Sequence, residues 1–140
     1  MTNYQKIKKV LLLAVLTLNF ISCDTDDDNE TVTPTVYDIE GKWTFANNNL
    51  NTMYIFEDGI RYTYYCVGDD CESQYETFEA GDSNAIPGTN EYTFEDGILT
   101  IDLNFGNELV APLTFECDGG KVYLDSPNPY YLYRLGSVCD

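Results

Sequence analysis

FEDGILTIDLNFGNELVAPLTFECDGGKV, Phe94 to Val122, is the stretch that decides the fold. Along its first half Leu99, Ile101, Leu103 and Phe105 alternate with Thr100, Asp102 and Asn104; along its second, Leu109, Ala111, Leu113, Phe115 and Cys117 repeat the pattern. Successive side chains of a strand point to opposite faces, so each run reads as a strand with one buried face. The Asp96-Gly97 step before the first run is a hairpin signal, because a type I′ turn needs positive φ at both central residues. The same five residues, FEDGI, occur at Phe56 to Ile60, and FECDGGKV at Phe115 to Val122 is a looser third copy. Each copy marks an antiparallel corner, and similar corners select similar residues for physical reasons, without any internal duplication.

Working outward, strands are expected over about residues 42–47, 52–57, 60–66, 74–79, 91–95, 98–105, 109–116, 121–125 and 130–135. No window of helical periodicity exceeds a turn or two. The fold class is therefore all-β: a small antiparallel up-and-down meander of eight or nine strands over residues 38–140. Closing it into a barrel is the simplest way to remove both exposed edges.

The front of the chain differs. Residues 1–22 carry Lys6, Lys8 and Lys9, no acids, and an apolar run from Val10 to Phe20 that is too short to cross a bilayer comfortably. That is the shape of a secretory signal peptide. The formal charge of the whole chain is −17; beyond the leader only Lys42, Arg61, Lys121 and Arg134 stand against 24 acids, a charge of −20. So acidic a surface repels nucleic-acid phosphates and anionic lipid head groups. Histidine is absent, which removes the commonest zinc ligand and the commonest general base near neutral pH.

Five cysteines in a chain read as exported make an odd set. Cys66 and Cys71 flank a loop that a disulfide would pin, and Cys117 with Cys139 would then tie the chain end to a strand terminus. The two other pairings of these four remain open. Cys23 follows the greasy run as Phe20-Ile21-Ser22-Cys23, with Phe20 too bulky at −3 for ordinary signal peptidase. This tetrapeptide resembles a lipobox of the relaxed kind found in Bacteroidetes-type lipoproteins, although the standard form has Leu at −3 and Gly or Ala at −1. The resemblance implies that the Cys23 thiol takes a diacylglycerol and becomes the acylated N-terminus, anchored at about 0.8 kcal/mol per buried methylene. The cluster Asp24, Asp26, Asp27, Asp28 and Glu30 is similar to the signal that sends such lipoproteins to the outer face of the outer membrane. Residues 23–37 also read as a hydrated acidic tether with an extended TVTPTV spacer. An EF-hand over Asp24, Asp26 and Asp28 fails, since its sixth position is Asn29 and its twelfth Thr35.

EGKWTF, Glu40 to Phe45, opens the first strand with Gly-x-Trp, and YYLYRL places Arg134 in the last. This pairing resembles the lipocalin signature, on Gly41, Trp43 and Arg134, within the small lipocalin-like domains of Bacteroidetes-type lipoproteins. The resemblance implies a barrel closed at one end by an indole beneath a guanidinium, a contact of about 0.5–2 kcal/mol. The fold is short for a ligand-carrying lipocalin, and its interior can be filled by its own side chains.

Other chemistry is sparse. Asp69, Asp70 and Glu72 are weak calcium candidates at a loop, with solvated charge the plainer reading. An apolar ligand in the barrel would be lined by Leu99, Ile101, Leu103, Leu113 and Phe115. Twelve tyrosines, all but Tyr4 beyond the leader, suit sugars and protein partners but also favour strands unaided. No nucleophile elbow, phosphate-binding glycine loop or nucleic-acid signature is present. The expectation is a non-enzymatic, cofactor-free, lipid-anchored binding or structural module of the cell envelope. The alternatives are carriage of a small apolar ligand and action on glycans.

Overall fold

A computed structural model describes residues 35–45 and 51–139. The leader, Cys23, the acidic run and most of the tether lie outside the described residues. Eight strands form a closed antiparallel barrel in chain order: β1 Gly41–Thr44, β2 Thr52–Glu57, β3 Ile60–Tyr65, β4 Asn90–Glu95, β5 Ile98–Asp102, β6 Glu108–Glu116, β7 Lys121–Leu124 and β8 Tyr130–Arg134. Ring closure is made by β1 and β8, with Trp43 opposite Arg134 and Thr44 opposite Tyr133. Among the described residues no helix is long and apolar enough to cross a membrane.

The repeated corners form as their residues dictate. Asp58 and Gly59 take φ of 50° and 75°, and Asp96 and Gly97 take 51° and 78°, the positive pair that a tight hairpin between twisted strands requires. The third copy is longer. Cys117, Asp118 and Gly119 all have positive φ, and a short 3-10 turn, with Gly120 N–H donating to the Cys117 carbonyl at 2.8 Å, links β6 to β7.

Alternation sorts side chains as expected along most strands. Trp43, Phe56, Tyr92, Leu99, Ile101, Ala111, Val122, Leu124 and Leu132 are buried in one cluster inside the barrel, joined by Ile39 from the segment before β1. The strand expected over 98–105 stops early, at Asp102. There the Asp102 carboxylate accepts from the Asn104 N–H at 2.6 Å, and Asn104, Phe105 and Gly106 all turn to positive φ. Leu103 and Phe105 are consequently exposed, Phe105 completely.

Among the described residues there is no ninth strand. Where one was expected over 74–79, the chain forms a seven-residue helix, α1, Cys71–Thr77. Tyr75 and Phe78 are three apart, the spacing of one helical face, whereas a strand would send them to opposite sides. Lys42 Nζ donates to two carbonyls at the helix end, Tyr75 at 3.0 Å, which also takes the Phe78 N–H at 3.4 Å, and Glu76 at 2.7 Å. The Tyr64 hydroxyl donates to the Glu79 carbonyl at 2.6 Å. This segment covers the outer face of β2 and β3, where Met53, Ile55, Tyr64, Cys66, Cys71 and Tyr75 form a second buried cluster. β2 is thus buried on both faces, with Tyr54 and Phe56 inward and Met53 and Ile55 outward. The Cys66–Cys71 disulfide holds the cover in place, and Cys117–Cys139 joins the chain end to the β6–β7 corner.

Candidate functional site

The two ends of the barrel are built differently. At the first, Trp43 is fully buried, and the Arg134 guanidinium lies 4.5 Å from its ring centroid. The indole N–H donates to the Ile39 carbonyl at 2.6 Å. Arg134 spends its donors on main chain: Nη1 to Glu40 at 3.0 Å, Nη2 to Asp38 at 3.1 Å and Nε to Gly119 at 3.3 Å. Phe115 packs against Trp43 and Tyr37. Gly41, Trp43 and Arg134 therefore meet in one plug.

Gly41 is there for two reasons. Its φ is +117°, and a Cβ at that position would stand 2.7 Å from Arg134 Nη1. Gly97, at φ +78°, has nothing within 4 Å of its hypothetical Cβ. Both Gly→Ala changes strain the backbone by about 1–3 kcal/mol, but Gly41→Ala must also displace the guanidinium. Chemical denaturation is expected to show Gly41→Ala as the more damaging of the two; equal losses would mean that the plug tolerates a moved arginine.

The far end, where β1 gives way to Phe45 and β8 begins at Tyr130, is aromatic and carries a charge. Phe45 packs between Tyr54 at 5.3 Å and Tyr130 at 5.4 Å. Arg61, on β3, faces the interior because it pairs with inward-facing Phe56 and Asn90. Its guanidinium lies 4.8 Å from the Tyr54 ring centroid, and Nη2 donates to the Asn90 side-chain oxygen. Asn90 is buried and held in turn by donating to the Asp102 carbonyl at 2.7 Å. Arg61 Nε is buried with no hydrogen-bond partner. Burial pushes the Tyr130 hydroxyl up to about 12 and raises the Tyr54 hydroxyl too, with the Arg61 charge drawing both the other way. Both phenols are neutral hydrogen-bonding groups at physiological pH.

Beside Tyr130 the outer surface holds a cleft of about 540 Å³, lined by Leu103, Leu109, Val110, Pro127 and Tyr130, with Glu108 also on its wall. Of the residues expected to line an apolar cavity, Leu99 and Ile101 are in the core, Leu113 and Phe115 pack against it, and Leu103 belongs instead to this external cleft. Asp69, Asp70 and Glu72 are exposed, and among the described residues no three Asp, Glu or Cys side chains converge as a metal site. On the outer face of β7 and β8, half-buried Tyr123 and exposed Tyr131 pack at 5.0 Å with Lys121 Nζ 4.4 Å from the Tyr131 ring centroid.

Arg61 is the residue that sequence reasoning passed over. The signal was available: a two-residue turn at Asp58-Gly59 sets Arg61 opposite Phe56, so an inward Phe56 carries Arg61 inward with it. Compared with known proteins, the chain matches no family model, no curated protein and no solved structure.

Proposed function

We propose that the chain is a lipid-anchored, non-catalytic binding module of the cell envelope. Cys23 carries the acyl chains, residues 23–37 form the hydrated tether, and a lipocalin-like barrel is displayed facing the exterior. Two observations support the anchoring. The tetrapeptide before Cys23 is lipobox-like, and the two disulfides use the four other cysteines, leaving Cys23 as the one outside the barrel.

Binding is favoured over a purely structural role by a single observation, the asymmetry of the two ends. One is plugged by Trp43, Arg134 and main-chain hydrogen bonds; the other places an interior arginine against the Tyr54 ring, within electrostatic reach of the Tyr130 hydroxyl. A domain needing only stability would gain from an apolar side chain there, since buried charge is costly to desolvate.

Intact-mass spectrometry of the membrane-extracted protein tests the anchor. The expected species begins at Cys23 and carries diacylglyceryl and acyl groups, while Cys23→Ala keeps its leader and gains none. An unmodified wild-type N-terminus would overturn the anchoring reading.

A further inference from the structure

We propose that Arg61 is the anion-binding residue of a ligand site at the far end of the barrel, taking a small carboxylate borne on a compact apolar or aromatic body. The proposal rests on the binding-module reading above but not on the lipid anchor. Four cations lie beyond the leader, and three have evident structural work. Lys42 caps α1 through two carbonyls, Arg134 serves three carbonyls and the Trp43 ring, and Lys121 pairs with Glu116 at 3.3 Å. Arg61 has no carboxylate partner among the described residues. Its contacts are one side-chain amide and one ring face, and they leave the buried Nε–H unused.

A buried donor without a partner, on a charged group, is costly to the fold, and an acceptor supplied by a ligand would offset that cost. The guanidinium edge bearing Nε and one terminal nitrogen is the fork that carboxylates engage with two parallel hydrogen bonds. Neutral Tyr54 and Tyr130 hydroxyls add donors without adding negative charge. The apolar body is accommodated by the cleft that shares Tyr130, where Leu103 and Val110 are exposed apolar side chains. Its volume suits a small ligand and not a long chain threaded through the barrel, whose interior is occupied by the core. A diffuse surface attraction is excluded as the source of affinity, because the protein is strongly acidic and repels anions at a distance.

The test uses the full chain in detergent, with empty micelles as blank, and three soluble probes of one shape: phenylbutyrate, phenylbutanol and phenylbutylamine. Equilibrium dialysis is expected to show phenylbutyrate bound about tenfold or more tightly than phenylbutanol, the usual worth of a charge-assisted hydrogen bond, with phenylbutylamine weakest. Arg61→Met is expected to erase that preference while keeping or raising the melting temperature. Should that variant fail to fold, the wild-type Arg61 Nε–Hε resonance decides: it should move on adding phenylbutyrate and stay still with phenylbutanol. Equal binding of the three probes, or a preference that survives Arg61→Met, overturns the assignment while leaving a binding barrel. Absence of binding by all three overturns this site, whereas the binding-module reading stands or falls on ligands and partners of other chemistry.

Discussion

Replacing Trp43 with alanine is expected to destabilise the barrel by about 3–5 kcal/mol, the range for truncating a fully buried large aromatic side chain. Trp43 has no exposed surface, and its indole N–H is bonded to the Ile39 carbonyl. Truncation leaves that carbonyl without its donor and leaves Arg134 over a void, its three carbonyl bonds no longer braced by the ring. Against a total stability of typically 5–15 kcal/mol, this is a large fraction, equivalent to roughly 15–30 °C in melting temperature. Circular dichroism is the appropriate probe, because Trp43 is the only tryptophan and the variant has no indole fluorescence to follow. A loss below about 1 kcal/mol would show that the plug contributes little beyond the surrounding core.

The second large effect belongs to the Cys117–Cys139 disulfide. It closes a separation of 22 residues, against 5 for Cys66–Cys71. Chain-entropy reasoning gives about 3 kcal/mol for the longer loop and about 2 for the shorter. The longer one also supports the plug. The chain end folds beneath the β6–β7 corner, where the Ser137 hydroxyl donates to the Gly120 carbonyl at 2.9 Å and the Arg134 N–H donates to the same oxygen at 2.9 Å. Urea denaturation of Cys117→Ser/Cys139→Ser and Cys66→Ser/Cys71→Ser double variants should therefore rank the first as the less stable. The reverse order would place the main disulfide contribution in the cover over β2 and β3.

Much of this architecture was legible because local chemistry and global topology agree. The Asp-Gly corners at 58–59 and 96–97 and the alternation from Leu99 to Ile101 specify hairpins whose register needs no distant information. Gly41, Trp43 and Arg134 are paired on paper by the resemblance to the lipocalin signature, and the closed meander makes their strands neighbours. The stretch from Cys71 to Phe78 was illegible for a physical reason: seven residues hold too few turns for a helical period to emerge, and the helix is held by Lys42, Tyr64 and a disulfide supplied from elsewhere. Leu103 and Phe105 continued the alternation on paper, yet the Asp102 carboxylate ends the strand beneath them. Arg61 sits in IRYTYY, sharing a face with Thr63 and Tyr65 while the more apolar Ile60, Tyr62 and Tyr64 take the other, so composition alone would turn it outward. Only register turns it inward.

Every strand pairs with its sequence neighbour except at the seam between β1 and β8. Hairpins of that kind form quickly, whereas the seam joins partners such as Arg134 and Glu40, 94 residues apart, and must await the slow loss of chain entropy. Until it shuts, the growing meander shows two bare edges able to capture another molecule's strands. The indole and guanidinium that meet across the seam thus act as a clasp, holding both edges hidden from other chains once the barrel has shut.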